Sequence, residues 1–443
     1  MRVDDWLARA AEALPERPAL IAGDRALSFA ELEDEARGMA RRLAGAGVGP
    51  GDRVALLLAP TAEYVVLVHA LTKLGAVSVP MDPAAPAPVT DRLLEAVGAR
   101  LVVRSPSDVL DAPEAAGLEM GDAFDTDSVQ CVIHTSGTSG EPAAVELTYG
   151  NHLWSAIGAG VRIGVAPTDR WLCCLPLHHI GGFSIVLRSA LYRIPMVLEP
   201  FDVQGIGAAI ERHGVSIVSL VPTMLARLLD AGAPLERLRC AVIGGGPMPL
   251  PLIERALEAG APVAPTYGLT EAASQVATMP ASEVRERPES AGPPILNTEV
   301  RIDEQGRICL RGPTIGPGLA GEDGWLVTGD LGRVDDDGYL YVLGRADDVI
   351  VTGGENVSPA EVELVLLDHP GVADAGVHGR DDPEWQQAVV AHVVLASENG
   401  ASEEDLRAFC RERLAPHKVP KAITFVSALP RNATGKLERH KLD

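Results

Sequence analysis

No apolar run of about 18 residues or more occurs in this 443-residue chain, so no membrane-spanning helix is expected. The N-terminus, MRVDDWLARAAEALPERP, has an acidic pair and no apolar core, which fits neither a signal peptide nor an anchor. The six cysteines, Cys131, Cys173, Cys174, Cys240, Cys309 and Cys410, form no CxxC pair and no regular framework. Four of them, Cys131, Cys173, Cys174 and Cys240, sit in apolar strand-like stretches and read as buried, reduced thiols. A reducing compartment, the cytoplasm, is the expectation. Positive charge is scarce: 38 Lys+Arg stand against 61 Asp+Glu, a formal net charge of −23. That field excludes a duplex-wide phosphate-binding surface, so nucleic acid is not an expected partner. A local cradle for a small anion stays open. Lysine is scarcer still. Only Lys73, Lys418, Lys421, Lys436 and Lys441 are present, four of them in the last 26 residues.

What the chain does have is alternation. Its length implies two or more domains. Ser28 and Glu31 have capping-box spacing before an amphipathic helix with Leu32, Ala36, Met39, Ala40 and Leu43 on one side. Apolar strands then alternate with helices as far as APVAPTYG: VALLL, AVSVP, VQCVIH, WLCCLP, MVLEP, VSIVSL and LRCAVIGG, with helices near 150–163, after Gly182 and near 203–213 among those between. This rhythm implies parallel sheets covered on both faces, two of them over about 270 residues. Near residue 290 it changes to hairpins, TEVRIDEQGRICLRG and LGRVDDDGYLYVLGR. The last hundred residues mix strands with the helices SPAEVELVLLDH and SEEDLRAFCRERLA. The fold class is therefore α/β: a large N-terminal domain with two parallel-rich sheets and a small β-rich subdomain, then a small α+β C-terminal domain. The boundary is placed near Gly344-Arg345, giving 1–344 and 345–443.

Four segments have the residue types that bind anions. The first, His134-Thr135-Ser136-Gly137-Thr138-Ser139-Gly140-Glu141-Pro142, follows a buried strand. Its hydroxyls and N–H groups suit a phosphate chain, and a plain turn explains it equally well. It is neither a Walker A loop nor a hydrolase elbow. The second, Tyr267-Gly268-Leu269-Thr270-Glu271, places a hydroxyl beside a carboxylate at a strand end. That suits a phosphate contact plus a Mg²⁺ ligand, or a helix cap with an acidic first turn. Near it, Gly244-Gly245-Gly246-Pro247 allows a flat ring or ribose to approach bare backbone. The third runs from Gly324 to Glu361. It holds Asp330, suited to two ribose hydroxyls, Arg345, and the loop Gly353-Gly354. The Asp335-Asp336-Asp337 triple there reads as a solvated hairpin tip. The fourth, Pro430-Arg431-Asn432-Ala433-Thr434-Gly435-Lys436, offers one compact ammonium in a polar loop.

In this order the segments resemble the adenylate-forming superfamily of acyl-CoA synthetases, adenylation domains and luciferases over nearly the whole chain. Within it, TYGNHLWSA, WLCCLPLHHIGGFSIVLRSALY, VSLVPTMLARLL, RCAVIGGGPMPLPL, PTYGLTEAASQV and GGENVSPAEVELVLLDHPGVADAGV are similar to the o-succinylbenzoate–CoA ligases of bacterial menaquinone biosynthesis. The resemblance implies two steps: a carboxylate attacks the α-phosphate of ATP to give an acyl-adenylate and pyrophosphate, then the thiol of coenzyme A displaces AMP. It implies phosphate contacts from Thr135, Ser136, Gly137, Thr138, Ser139 and Gly140. Thr270 would meet the α-phosphate and Glu271 would hold Mg²⁺. Gly245, Gly246 and Pro247 would flank adenine, with Tyr267 and Gly268 beside it. Asp330 would bind ribose, with Arg345 nearby. Lys436 would bridge carboxylate and phosphate oxygens. The C-terminal domain would rotate between steps about Asp347, so that Gly353-Gly354-Glu355-Asn356 replaces Lys436 and lines the pantetheine tunnel. His179 matches the position gating the acid pocket. Arg188, the only cation in the apolar segment Gly181–Leu191, reads either as a structural ion pair or as the partner of a carboxylate of the acid. Ser219, Thr223, Ser274 and Gln275 complete the pocket candidates. The expected partners are thus a small carboxylic acid, ATP and coenzyme A, with a homodimer left open.

One departure stands out. Superfamily members usually carry Lys in the phosphate loop where this chain has Glu141 and Ala143, and Gly where it has Ala144. Three other readings remain: a ligase for another aromatic or aliphatic acid, an enzyme loading a carrier protein, and a binding module that has lost turnover.

Overall fold

The computed structural model describes residues 1–118, 120–136, 142–383, 385–397, 400–431 and 437–442. Statements of absence below refer to these described residues.

Two mixed, mainly parallel sheets form the larger part of the molecule. One has eight strands, ordered Ser274–Thr278, Val263–Leu269, Cys240–Ile243, Ile217–Leu220, Trp171–Cys173, Met196–Leu198, Pro18–Ala22 and Arg25–Ser28. Its six inner strands run parallel and both edge strands antiparallel. The other has five, ordered Leu101–Val103, Arg53–Leu56, Val77–Pro80, Val129–Ser136 and Pro142–Thr148, of which only the last pairing is antiparallel. The strand expected at VQCVIH therefore continues through Thr135 and Ser136.

Helices Phe29–Gly45, Ala62–Leu74 and Ile180–Tyr192 contribute to one apolar cluster that draws on both sheets, including Leu56, Ile133, Trp171 and Ile217. The last of these helices begins at Ile180, two residues before Gly182. Burying helix Ala62–Leu74 on nearly every side requires apolar residues all round, as its sequence provides. The exceptions among its buried residues include His69 and Lys73, whose ammonium lies 2.8 Å from Asp5 and 2.5 Å from Glu33, all of them buried. The lone lysine of the first 417 residues is thus a paired core charge, which a buried ammonium requires.

The expected hairpins form an antiparallel sheet ordered Glu299–Ile302, Arg307–Arg311, Leu326–Val334 and Leu340–Arg345. Beyond it, Ile350–Thr352, Glu355–Val357, Val372–Asp382, Gln386–Leu395 and Ala422–Phe425 form a five-stranded sheet with helices Pro359–Leu367 and Glu403–Arg413. This part has its own core, including Ile350, Val362, Val377, Ala391 and Leu406. All six cysteines are free and buried.

Candidate active site

Strands Cys240–Ile243 and Val263–Leu269 run parallel and adjacent, with Ile243 opposite Pro265. The chain leaves the first as Gly244-Gly245-Gly246-Pro247, and the last three of these are exposed. Gly245 holds φ +81°, a left-handed backbone that glycine adopts readily. Bare peptide therefore lies beside Tyr267, at the carboxyl ends of parallel strands where open α/β sheets take their ligands.

Tyr267 is tied to the next sheet. Its hydroxyl donates to Asp330 Oδ2 at 2.7 Å, and Arg345 Nη1 donates to Asp330 Oδ1 at 3.1 Å. Asp330 and Arg345 face each other across an antiparallel pair, so the ladder register sets their ion pair. A Cβ on Gly329 would lie 2.8 Å from the Arg345 guanidinium, so the glycine makes room for that side chain. Burial and the neighbouring Asp330 push the Tyr267 phenol well above its usual range, and it stays a donor.

Thr270–Ala272 forms one short 3₁₀ turn, followed by Ala273 at φ +51° and Ser274 at φ +98°. Neither is glycine, and such conformations cost about 1–3 kcal/mol each. Gly268 is required opposite them: a Cβ there would lie 2.0 Å from the Ser274 carbonyl oxygen. The Glu271 carbonyl accepts from Gly316 N–H at 2.9 Å. The Glu271 carboxylate is half-buried and has no ion pair or hydrogen bond among the described residues. A carboxylate with no protein partner among the described residues, next in sequence to a threonine, is a donor set Mg²⁺ takes when substrate phosphates complete its shell, so the residues fit that ion. Strand Pro142–Thr148 packs against this turn, and Thr135 lies opposite its Ala143.

On the acid side, His179 sits at the N-terminus of helix Ile180–Tyr192. Burial and the neighbouring His178 push its pKa down to about 4, leaving a neutral imidazole. Arg188 is 3% exposed and has no carboxylate partner among the described residues. Its Nη1 donates to Gln275 Oε1 at 2.6 Å and its Nη2 to Ser155 Oγ at 2.9 Å, and its ring neighbour is Trp171 at 6.0 Å. Of the two readings of this cation, a structural ion pair is not what the structure contains. Ser219 is buried and accepts from Trp171 Nε1 at 3.1 Å. Thr223 lines a separate cavity of about 480 Å³ with Tyr64, Asp82, Cys174, His178 and Glu199. The sequence candidates are thus divided: Gln275 and Ser274 adjoin Arg188 and the strained turn, Ser219 is committed to Trp171, and Thr223 faces the cavity.

Gly353 and Gly354 form the turn between Ile350–Thr352 and Glu355–Val357, at φ +59° and +83°. Trp385 packs on Gly353, where a Cβ would lie 2.9 Å from the ring. Asp347 falls between the ends of strands Leu340–Arg345 and Ile350–Thr352, and its neighbour Asp348 pairs with Arg439 at 2.8 Å. Gly137, Thr138, Ser139, Gly140, Glu141 and Lys436 lie outside the described residues, as do the side chains of Ser136 and Asn356.

Sequence reasoning missed two polar residues of helix Tyr149–Ile163. Asn151 completes a capping box with Thr148 and donates to the carbonyls of Pro313 and Ile315, both at 2.9 Å. Ser155 donates to the Ala273 carbonyl at 2.5 Å. The four-residue spacing puts both on one helix face, a signal available in GNHLWSA.

The sequence profile of the AMP-binding enzyme family matches residues 7–320, and that of the AMP-binding enzyme C-terminal domain matches residues 361–436. The chain belongs to the AMP-binding enzyme family. As a member it is 40% identical to the 2-succinylbenzoate–CoA ligase of Bacillus velezensis, over 99% of this chain and 97% of that protein. It is 41% identical to the enzyme of that name from Geobacillus kaustophilus, with the same coverage. Among solved structures of AMP-binding enzymes, it matches o-succinylbenzoate CoA synthetase from Bacillus subtilis in complex with the acyl-adenylate intermediate. That match has TM-score 0.93 and 37% identity, covering 100% of this chain and 98% of that one. A doubly substituted form of the same enzyme, bound to a CoA product analogue, gives TM-score 0.76 at the same identity and coverage. ATP-bound MatB from Rhodopseudomonas palustris gives 0.91 at 25% identity, covering 99% of this chain and 98% of that one.

Proposed function

We propose that the protein is an AMP-forming acid–thiol ligase that adenylates o-succinylbenzoate with ATP and transfers the acyl group to coenzyme A. The observation that carries this reading is Arg188, a buried guanidinium held only by neutral acceptors among the described residues. A buried cation without a protein anion favours a ligand that supplies one. A dicarboxylic acid has one carboxylate for reaction and one to spare, and full-length likeness to ligases of that acid points the same way.

The roles below are those the resemblance assigns, supported by where these residues lie. Gly245, Gly246, Pro247 and Tyr267 bound the adenine side. Asp330, held by Tyr267 and Arg345, presents its carboxylate to ribose hydroxyls. Thr135 and Thr270 meet phosphate oxygens, with Ser136, Gly137, Thr138, Ser139 and Gly140 assigned the same task by resemblance. Glu271 would hold Mg²⁺, which when bound neutralises phosphate charge. Neutral His179 borders the acid without repelling a proton-free carboxylate or attracting it away from Arg188. Lys436, assigned by resemblance, stabilises charge on the α-phosphate as the acid attacks, in the manner of preorganised donors. The two Bacillus subtilis chains differ from each other in conformation, since one enzyme gives TM-scores of 0.93 and 0.76 against a single structure. We take the present arrangement, nearer to the acyl-adenylate complex, as the one for adenylation, with rotation about Asp347, assigned by resemblance, preceding thioester formation.

A pyrophosphate-release assay over a panel of acids, with and without coenzyme A, tests the reading. Thioester formed only from o-succinylbenzoate supports it. Turnover of another acid in its place reassigns the substrate, and no pyrophosphate from any acid removes the ligase reading.

A further inference from the structure

Arg188 reaches both sides of the strained pair Ala273-Ser274. On one side its Nη1 bonds Gln275 directly, at 2.6 Å. On the other its Nη2 bonds Ser155 Oγ at 2.9 Å, and Ser155 Oγ in turn lies 2.5 Å from the Ala273 carbonyl oxygen. The direction of these bonds is forced. A hydroxyl has one hydrogen, and neither a carbonyl nor a guanidinium leaves a choice: the first only accepts and the second only donates. Ser155 therefore gives its hydrogen to Ala273 and its lone pair to Arg188. Gln275 is fixed in the same way, its Nε2 donating to Thr278 Oγ1 at 2.8 Å so that Oε1 turns to Arg188. Ser155, Arg188 and Gln275 are all buried, so no water competes for these bonds. Thr270 and Glu271 precede the bridged segment, three and two residues before Ala273.

We propose that Ser155 is a positioning residue that couples the acid pocket to the metal-and-phosphate turn, so that an anion on Arg188 tightens the hold of Thr270 and Glu271 on Mg²⁺-nucleotide. This rests on the reading of Arg188 as the acid's partner. Moving the guanidinium toward a carboxylate shifts the lone-pair contact of Ser155, and the short bond to Ala273 carries the shift into backbone that is already strained. Coupling of this kind is reciprocal in binding.

The test measures binding, so it needs no turnover. Magnesium with α,β-methylene-ATP is titrated calorimetrically into the full chain, with and without saturating o-succinylbenzoate, and again with 3-benzoylpropanoate, which keeps the succinyl carboxylate and lacks the one on the ring. In the unaltered protein o-succinylbenzoate should tighten nucleotide binding about tenfold, and 3-benzoylpropanoate should leave it unchanged. Ser155→Ala should abolish the enhancement while keeping nucleotide affinity in the absence of acid. Ser155→Thr, which retains the hydroxyl, should restore it, and thermal melting confirms that each variant is folded. Equal enhancement in Ser155→Ala, or none in the unaltered protein, overturns the coupling. Failure of the ligase reading shows separately, as absence of pyrophosphate release with every acid.

Discussion

The Tyr267 hydroxyl donates to Asp330 Oδ2 at 2.7 Å, a bond that joins the eight-stranded sheet to the four-stranded antiparallel one. It leaves the carboxylate held from two directions, by a phenol and by Arg345, so Asp330 is oriented before any nucleotide arrives.

Asp330→Asn should raise the KM for ATP by about tenfold to a hundredfold, the worth of a hydrogen bond to a charged acceptor, with the acid's KM little changed. Tyr267→Phe should have a smaller effect in the same direction, because Arg345 still holds the carboxylate. Steady-state kinetics with each substrate varied in turn checks both. An unchanged ATP constant in Asp330→Asn removes the ribose role.

Arg188→Leu should raise the KM of the acid by roughly a hundredfold and leave that of ATP within a few-fold. The comparison acid is a monocarboxylate, whose KM should change least. Parallel losses for acid and ATP would assign Arg188 to architecture alone.

Glu141→Lys should tighten ATP binding several-fold. The resemblance puts this position in the phosphate loop, where a solvated carboxylate would oppose the triphosphate by about 1 kcal/mol and a lysine would reverse the sign. An effect of this electrostatic origin should shrink as salt is raised. Calorimetric titration at two ionic strengths reads both quantities.

Lys436→Ala should abolish acyl-adenylate formation but leave thioester formation from supplied acyl-adenylate largely intact. Asp347→Pro should do the opposite, by fixing the backbone between the two sheets. Assaying each half-reaction separately distinguishes them, and equal loss of both in Asp347→Pro would defeat the hinge assignment.

Stability should fall on acidification below about pH 6.5. Burial holds His69 at about 4, His152 at about 3 and His179 at about 4, against roughly 6.5 in an unfolded chain. Between those values the unfolded chain binds more protons than the folded one, so stability rises with pH there. Each such histidine contributes a slope of about 1.4 kcal/mol per pH unit over that range. Urea midpoints at pH 5, 6 and 7 measure the slope, and His69→Asn should flatten it by about one proton's worth.

Much of the fold was legible because its signals are local. Buried parallel strands announce themselves as short apolar runs such as CAVI and IVSL, and the capping box at Ser28 and Glu31 is present as spaced. Arg188 was legible as an anomaly, a lone cation in an apolar helix, but its partners were not. They lie 33 and 87 residues away, and no local pattern relates Ser155 or Gln275 to it. The strain at Ala273 and Ser274 was equally hidden, since nothing in TEAAS marks a positive φ at alanine or serine. Lys73 looked like an outlier of composition and is a core ion pair, because Asp5, which caps helix Trp6–Ala13, and Glu33 of helix Phe29–Gly45 are distant in sequence.

Gly268 gives these contacts a practical meaning. Even one methyl group there would meet the Ser274 carbonyl oxygen at 2.0 Å, so the hairpin of Val263–Leu269 and Ser274–Thr278 admits no variation at that position. Efforts to retarget the protein to other acids would therefore spend their libraries well on Thr223 and the rim of the 480 Å³ cavity, none of whose lining residues belongs to that hairpin. The chain offers an engineer one rigid edge and one pliable one.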